Sequence, residues 1–519
     1  TRVSKSFAKG TVTGAGMYVG GLIGYTTRNI SDSHFEGDVV AESDYVGGLA
    51  GYTKGFVSKS HFSGDVVGAG NYVGGLIGYG NGVGGSGFSG HVSGIGNYVG
   101  GLAGYTTGTV SGSNFKGEVF SSGNYVGGLI GKSHSDGGFW GKSGLLANSF
   151  FVGNVKGNSY VGGAIGGDSV YLDTSYSATR IITNVNVEGS VEGVSHVGGV
   201  VGNMARVSKS SGFSSDFKVI IDSCQHSKGN VIGEEYVGGL FGSTYSFVSN
   251  SRSEGNVTGN RYVGGLGGRT SDSVTNSYSV GNVSGTGDNI GGLLGYINKN
   301  VSKSHFVGSV EGANYVGGLV GKSEKCVIHS YAKGNVTGVS NVGGLAGEGR
   351  VIKASYMEGN VRGDSGHVGG LIGHIDHYLV EHSVDSSFFI GGEVEGLYDV
   401  GGLVGYKSNR LGAQGGGIYN SFVLGDVSGR NFVGGLVGYY SGKNDSISRS
   451  YAIGSVFGDD NVGGLLGISY QTNFIINESY VSENVSALEG DSVGCVFGVR
   501  SGGSYSVKSS YYDKTKCNQ

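Results

Sequence analysis

The densest group of metal-binding side chains in this 519-residue chain is His374, Asp376, His377, Glu381 and His382. Imidazole and carboxylate suit zinc or nickel, but the spacing matches no closed ligand set. A polar inserted loop is therefore the preferred reading, with a metal site on His374, Asp376, His377 and His382 as the weaker one. Asp38 and Asp65 would lie on neighbouring repeats, as the paired carboxylates of a polysaccharide lyase or hydrolase must. Their equivalents are Thr11 and His91, which places the pair in a general polar row. Arg362-Gly363-Asp364 spells an integrin-type recognition tripeptide at an expected corner, where exposure is necessary for such a role but not sufficient. No His-Glu-x-x-His or Gly-x-x-x-x-Gly-Lys-Ser/Thr pattern occurs, and the calcium-binding Gly-Gly-x-Gly-x-Asp nonapeptide is also missing. No catalytic residue is assigned and no cofactor is implied.

Such residues can act only if something positions them, and the composition restricts what that is. With 111 glycines, no proline and 37% hydrophobic residues, the chain departs from ordinary globular usage. It has no Gly-X-Y period, so it is not collagen. A net charge of −4 offers no clustered cations to neutralise phosphates, which argues against nucleic acid. No run of about 18 apolar residues exists to span a bilayer, and the start at Thr1 shows no signal segment, so the chain reads as a mature or excised piece. Cys224, Cys326, Cys495 and Cys517 show no CxxC and no regular spacing. They read best as small core residues, with a Cys495 to Cys517 bridge as the alternative.

Periodicity decides the fold. Val-Gly-Gly or Ile-Gly-Gly recurs at Val19, Val46, Val73, Val99, Val126, Val161, Val197, Val237, Val263, Ile290, Val316, Val342, Val368, Val400, Val433, Val462, with Val493-Gly494 closing the series. Most steps are 26 or 27 residues. Within a copy, three short runs are separated by glycine, too short for helices and bounded by residues that tolerate positive φ. The expectation is an all-β, right-handed parallel β-helix of about 17 coils with three short strands per coil, stacked at about 4.8 Å. Inward positions should be Val12, Val39, Val66, Val257, Val283, Val310 and Val336, the valine of Val-Gly-Gly, and the leucine three residues later. Ser6, Ser33, Ser60, Ser113, Ser251, Ser277, Ser304 and Ser330 recur at one position and should form a buried hydroxyl row bonded to one another or to corner backbone. Asn154, Asn230, Asn256, Asn282, Asn335, Asn360 and Asn484 should form an outward amide ladder. One solenoid domain over 1–519 is expected, regular over 1–130 and 236–374, with inserted loops over 131–235 and 375–422, and closing coils over 423–519.

The copies resemble the GLUG motif repeat. Ser330-Tyr331-Ala332-Lys333-Gly334-Asn335-Val336-Thr337-Gly338, followed by Val342-Gly343-Gly344-Leu345-Ala346-Gly347, carries the likeness. The resemblance implies a large secreted or surface-anchored bacterial protein, such as an adhesin or the non-catalytic part of an IgA-specific metallopeptidase. It implies no single activity.

Two features are candidate binding surfaces. Tyr18, Tyr45, Tyr72, Tyr98 and Tyr125 precede Val-Gly-Gly, and Tyr25, Tyr52, Tyr79 and Tyr105 follow its valine by six residues. These rows should shield strand edges, and the same rings could hold sugars or a protein. Insertions near 132–147, 168–184, 203–222, 375–388 and 407–419 leave after the Val-Gly-Gly strand, so they should gather on one side. They bring Phe139, Trp140, Tyr171, Tyr176 and Phe213. The leading reading is an extracellular adhesin or stalk binding a protein or glycan ligand. Alternatives are a filament assembling end to end and, behind both, a polysaccharide-degrading enzyme.

Overall fold

In a computed structural model, residues 3–135, 143–172, 179–208, 218–377, 382–409, 416–443, 445–488, 492–500 and 504–513 are described. Contacts divide the chain into two compact units, Thr1–Gly259 with Gly265–Asp272, and Asn260–Gly264 with Ser273–Gln519. Both are parallel β-helices with three faces, and no described residue is helical.

One coil of the first unit shows the plan. Val57–Ser58, His61–Ser63 and Val66–Gly68 form face A, Val73–Gly74 forms face B, and Ile77–Gly80 forms face C. A coil of the second unit repeats it with Cys326–Ile328, Tyr331–Lys333, Val336–Gly338, Ser340–Gly343 and Ala346–Glu348. Face A is subdivided because the chain twice leaves extended geometry there, at Lys59 (φ 48°) and Gly64 (φ 140°). The three expected strands are thus three faces, one of them broken into short segments.

Repeat-equivalent residues pair directly. In the first unit Val46 pairs with Val73, Val73 with Val99, Val99 with Val126 and Val126 with Val161. The last step crosses an insertion without losing register. In the second unit the same row runs Val316, Val342, Val368, Val400, Val433. These valines are buried, as are the leucines three residues on and the Gly-x-Val valines from Val39 onward, whereas Val12 in the first coil is half-buried. A further inward row, stacked Phe35, Phe62, Phe88, Phe115 and Phe151, fills the space beside face A.

The Val-Gly-Gly signature has a steric cause. A Cβ on Gly317 would lie 2.0 Å from the carbonyl oxygen of Val320, and one on Gly318 would lie 2.1 Å from that of Gly344 in the next coil. The turn from face B to face C closes only without side chains.

The serine row solves the polar problem of the face A kink. The amide of Ser277 donates to Ser304 Oγ at 3.2 Å, and Ser304 Oγ donates to the carbonyl of Ser302 at 2.8 Å. The hydroxyls therefore bond to corner backbone, one of the two expected arrangements. The asparagine row also forms: Asn335 Oδ1 accepts from the amide and the side chain of Asn360, and Asn360 Oδ1 accepts from the amide of Glu393.

Candidate ligand-binding surface

The tyrosine before Val-Gly-Gly sits at the corner between faces A and B in a left-handed conformation, φ 59° at Tyr45, 63° at Tyr72, 64° at Tyr98 and 59° at Tyr125. A non-glycine residue at such an angle costs energy that its surroundings must offset. Stacking supplies the offset. Ring centroids are 5.2 Å apart for Tyr18 and Tyr45, 4.7 Å for Tyr45 and Tyr72, 4.9 Å for Tyr72 and Tyr98, and 5.3 Å for Tyr98 and Tyr125. The row continues through Tyr160, His196 and Tyr236. Tyr25, Tyr52, Tyr79 and Tyr105 stack beside it at 5.3, 4.8 and 5.0 Å. The two rows meet edge to face, as in Tyr98 with Tyr105 at 89°. Each aromatic pair contributes about 0.5–1.5 kcal/mol beyond area burial.

This geometry limits what the rows can hold. Stacked neighbours cover the ring faces, so an incoming ligand meets ring edges and hydroxyls. Burial, then neighbouring tyrosines, holds the hydroxyls of Tyr72 and Tyr125 above the ordinary phenol range. They remain donors throughout physiological pH. Where the second row ends, Lys132 Nζ sits 4.3 Å from the Tyr125 ring centroid, a cation–π contact.

A second aromatic array, not anticipated from the sequence, lies on face A of the second unit. Tyr278, His305, Tyr331, Tyr356, Phe388, Phe422 and Tyr451 stack with centroids 4.7–5.0 Å apart and planes within 8°. Strand pairing continues the row to Tyr480 and Tyr511. Beside it lie the exposed Val280, Val307, Leu424 and Ile453. All nine ring positions directly follow the serine of the hydroxyl row, and that was the available signal. In the first unit the same slot carries Phe7, His34, His61, Gly87, Asn114 and Phe150, so the rings there are interrupted and the continuous row belongs to the second unit.

The insertions leave from the end of face C, where strands lengthen. Ile130–Ser135, Ile165–Leu172 and Val201–Ser208 in the first unit pair residue for residue, and Ile372–His377 pairs with Val404–Asn409 in the second. Tyr171 is in one of these strands. Phe139, Trp140, Tyr176 and Phe213 lie outside the described residues.

The remaining candidates fall into the scaffold. Arg362 and Gly363 end a face A strand instead of forming a free corner. Arg362 is ion-paired to Glu395 at 3.3 Å and to Asp364 at 3.6 Å. The strand displays these side chains outward through the alternation of the sheet, but they are engaged with one another. His374 stacks on His367, meets Tyr406 at a tilt and lies 3.9 Å from Glu348, which also binds Lys322 at 2.8 Å. Asp376, His377 and His382 have only their strands described, and Glu381 lies outside the described residues. Among the described residues no cluster of three metal-ligating side chains forms. Asp38 accepts the amide of Asp65 at 3.0 Å, and Asp65 accepts that of His91 at 2.8 Å. Both carboxylates thus cap backbone on the next coil.

The cysteines need correction. Cys224 is buried in the serine slot, as expected, and Cys326 is a half-buried free thiol, but Cys495 is disulfide-bonded and is not a core thiol. Cys517 lies outside the described residues.

These features define a parallel β-helical repeat protein with outward aromatic ladders. Residues 15–40 match the GLUG motif, which is associated with extracellular and surface proteins. No curated protein and no solved structure matches the chain.

Proposed function

We propose that this chain is a secreted or cell-surface adhesin or stalk that binds an extracellular protein or glycan, and that it works by recognition instead of catalysis. The observation that carries this reading is the nine-position ring row on face A of the second unit. Its rings lie outward, where they add nothing to the dry interior, and exposed aliphatic side chains flank it. A row of partly exposed rings with exposed aliphatic neighbours along part of its length is the kind of apolar surface that marks an interaction site. The disulfide at Cys495 supports an oxidising, extracellular setting. The two acidic candidates, Asp38 and Asp65, are absorbed as backbone acceptors, which supports a non-catalytic role.

Binding to arrays of glycans and extracellular-matrix proteins tests the reading. The comparison is between the natural chain and a triple variant Tyr331→Ser, Tyr356→Ser, Phe388→Ser, whose folding is checked by circular dichroism. Binding by the natural chain that falls at least tenfold in the folded variant is expected. Equal binding by both proteins would overturn the role of the ring row, and binding to nothing on the arrays would count against an adhesin.

A further inference from the structure

The position seven residues after the valine of Val-Gly-Gly points inward at the end of face C. Most coils fill it with a small residue, including buried Thr26, Thr53, Thr106, Ser133, Thr244, Thr270 and Ser323. The threonine hydroxyls bond local backbone, as Thr53 does with Gly55. Lys407 breaks this pattern. Its side chain is wholly buried, stacked in register between buried Ile375 and Tyr440. The Tyr440 ring centroid lies 4.6 Å from Nζ. Asp445, equally buried, begins the return to face A one coil later, and Lys407 Nζ lies 2.7 Å from its Oδ2.

Two full charges in a dry interior are costly, several kcal/mol per ion after relaxation, and their attraction does not reliably repay the cost. Burial drives the Lys407 ammonium below its ordinary pKa, although Asp445 opposes the shift. A proton hop along the 2.7 Å contact converts the pair to amine and carboxylic acid. That leaves a nucleophilic nitrogen held beside a carboxyl carbon with water excluded, and effective molarities of about 10⁵–10⁸ M are characteristic of such arrangements.

We propose that Lys407 and Asp445 condense to an intramolecular amide that covalently staples adjacent coils. Nζ adds to Cγ and the Nζ–Cγ bond forms. One Cγ–O bond breaks, and that oxygen departs as water with two hydrogens, both originally on the lysine nitrogen. No oxidant or co-reactant is consumed. The product removes both buried charges and closes a loop across a separation of 38 residues. A buried ion pair in the first unit provides the contrast. Arg180 grips Asp168 at 2.7 Å and Ser133 at 2.9 Å, but a guanidinium, protonated at all working pH values, is no nucleophile.

The test is the intact mass of the reduced, denatured full chain after the folded protein has been incubated to constant mass, followed by a tryptic digest. The expected result is a chain one water lighter than its sequence, with a branched peptide joining the segments around Lys407 and Asp445. Lys407→Ala and Asp445→Ala should each have full mass. The natural chain decides the matter even if those variants fold poorly. A full mass for the natural chain overturns the proposal, as does a water loss mapped to a linear peptide, for example a succinimide at Asp136-Gly137.

Discussion

Cys224 occupies the slot where neighbouring coils place the buried serine, and it repeats the serine's bonding. Its amide donates to Ser251 Oγ at 3.1 Å, and its thiol donates to the carbonyl of Asp222 at 3.3 Å. Burial pushes the thiol pKa up to about 12, so the thiolate that reacts with alkylating agents is almost absent at mildly alkaline pH. Iodoacetamide should therefore modify half-buried Cys326 in the native protein and reach Cys224 only after denaturation. Peptide mapping before and after unfolding measures this, and equal labelling would contradict the burial. The serine row gives a second residue-level expectation. Ser304→Ala removes the acceptor of the Ser277 amide and the donor to Ser302, and a buried polar group left unmade costs about 1–3 kcal/mol. Amide exchange at Ser277 should accelerate by one to two orders of magnitude, with a smaller effect for Ser304→Cys, because Cys224 shows that sulfur fits.

At the scale of elements, the corner ladder contains one titratable interruption in the first unit. His196 lies between Tyr160 and Tyr236 at 4.9 and 4.6 Å, and burial lowers its pKa from 6.5 to about 4. The folded chain thus binds fewer protons here than the unfolded chain between those values. Stability from this site is fully present above pH 6.5 and is lost as pH falls toward 4, by on the order of 1–3 kcal/mol. Burial lowers the pKa of His226 in the same direction. His196→Tyr, matching the rings on either side, should reduce the slope of urea midpoint against pH in this range, leaving the His226 share. An unchanged slope would mean that His196 titrates normally. The ladders also show what sequence could and could not reveal. The rows beside Val-Gly-Gly were legible because that motif gives a fixed origin and the early coils repeat tyrosine at both points, from Tyr18 to Tyr125 before it and from Tyr25 to Tyr105 after it. The face A row was not, because its members alternate among Tyr, His and Phe and insertions vary their spacing. Lys407 and Asp445 were hidden for a different reason: only alignment on the small hydroxyl slot marks the lysine as foreign, and its partner belongs to another coil.

For the molecule as a whole, the repeat predicts that a coil is a removable unit, since each bonds mainly to the coils immediately before and after it. In the second unit the Ser277 amide bonds Ser304, and the Ser304 amide bonds Ser330. Ile290 pairs with Val316, and Val316 with Val342. Deleting residues 304–329 joins Lys303 to Ser330 and places Ser277 against Ser330, Tyr278 against Tyr331 and Ile290 against Val342. The inward slots then meet their own kind, because Val310 and Val336 share one slot and Val316 and Val342 another. The shortened chain should fold with the same β-signature per residue and a melting temperature lowered by only a few degrees, about the shift that a loss of ~1 kcal/mol produces. Deleting only 304–316 should fail, since it would bring Gly317 into the serine slot and set face B sequence against face A of the neighbouring coil. Circular dichroism and size-exclusion chromatography distinguish the outcomes. If both deletions unfold, stability resides in contacts beyond nearest coils, and if both fold, the inward slots do not fix the register.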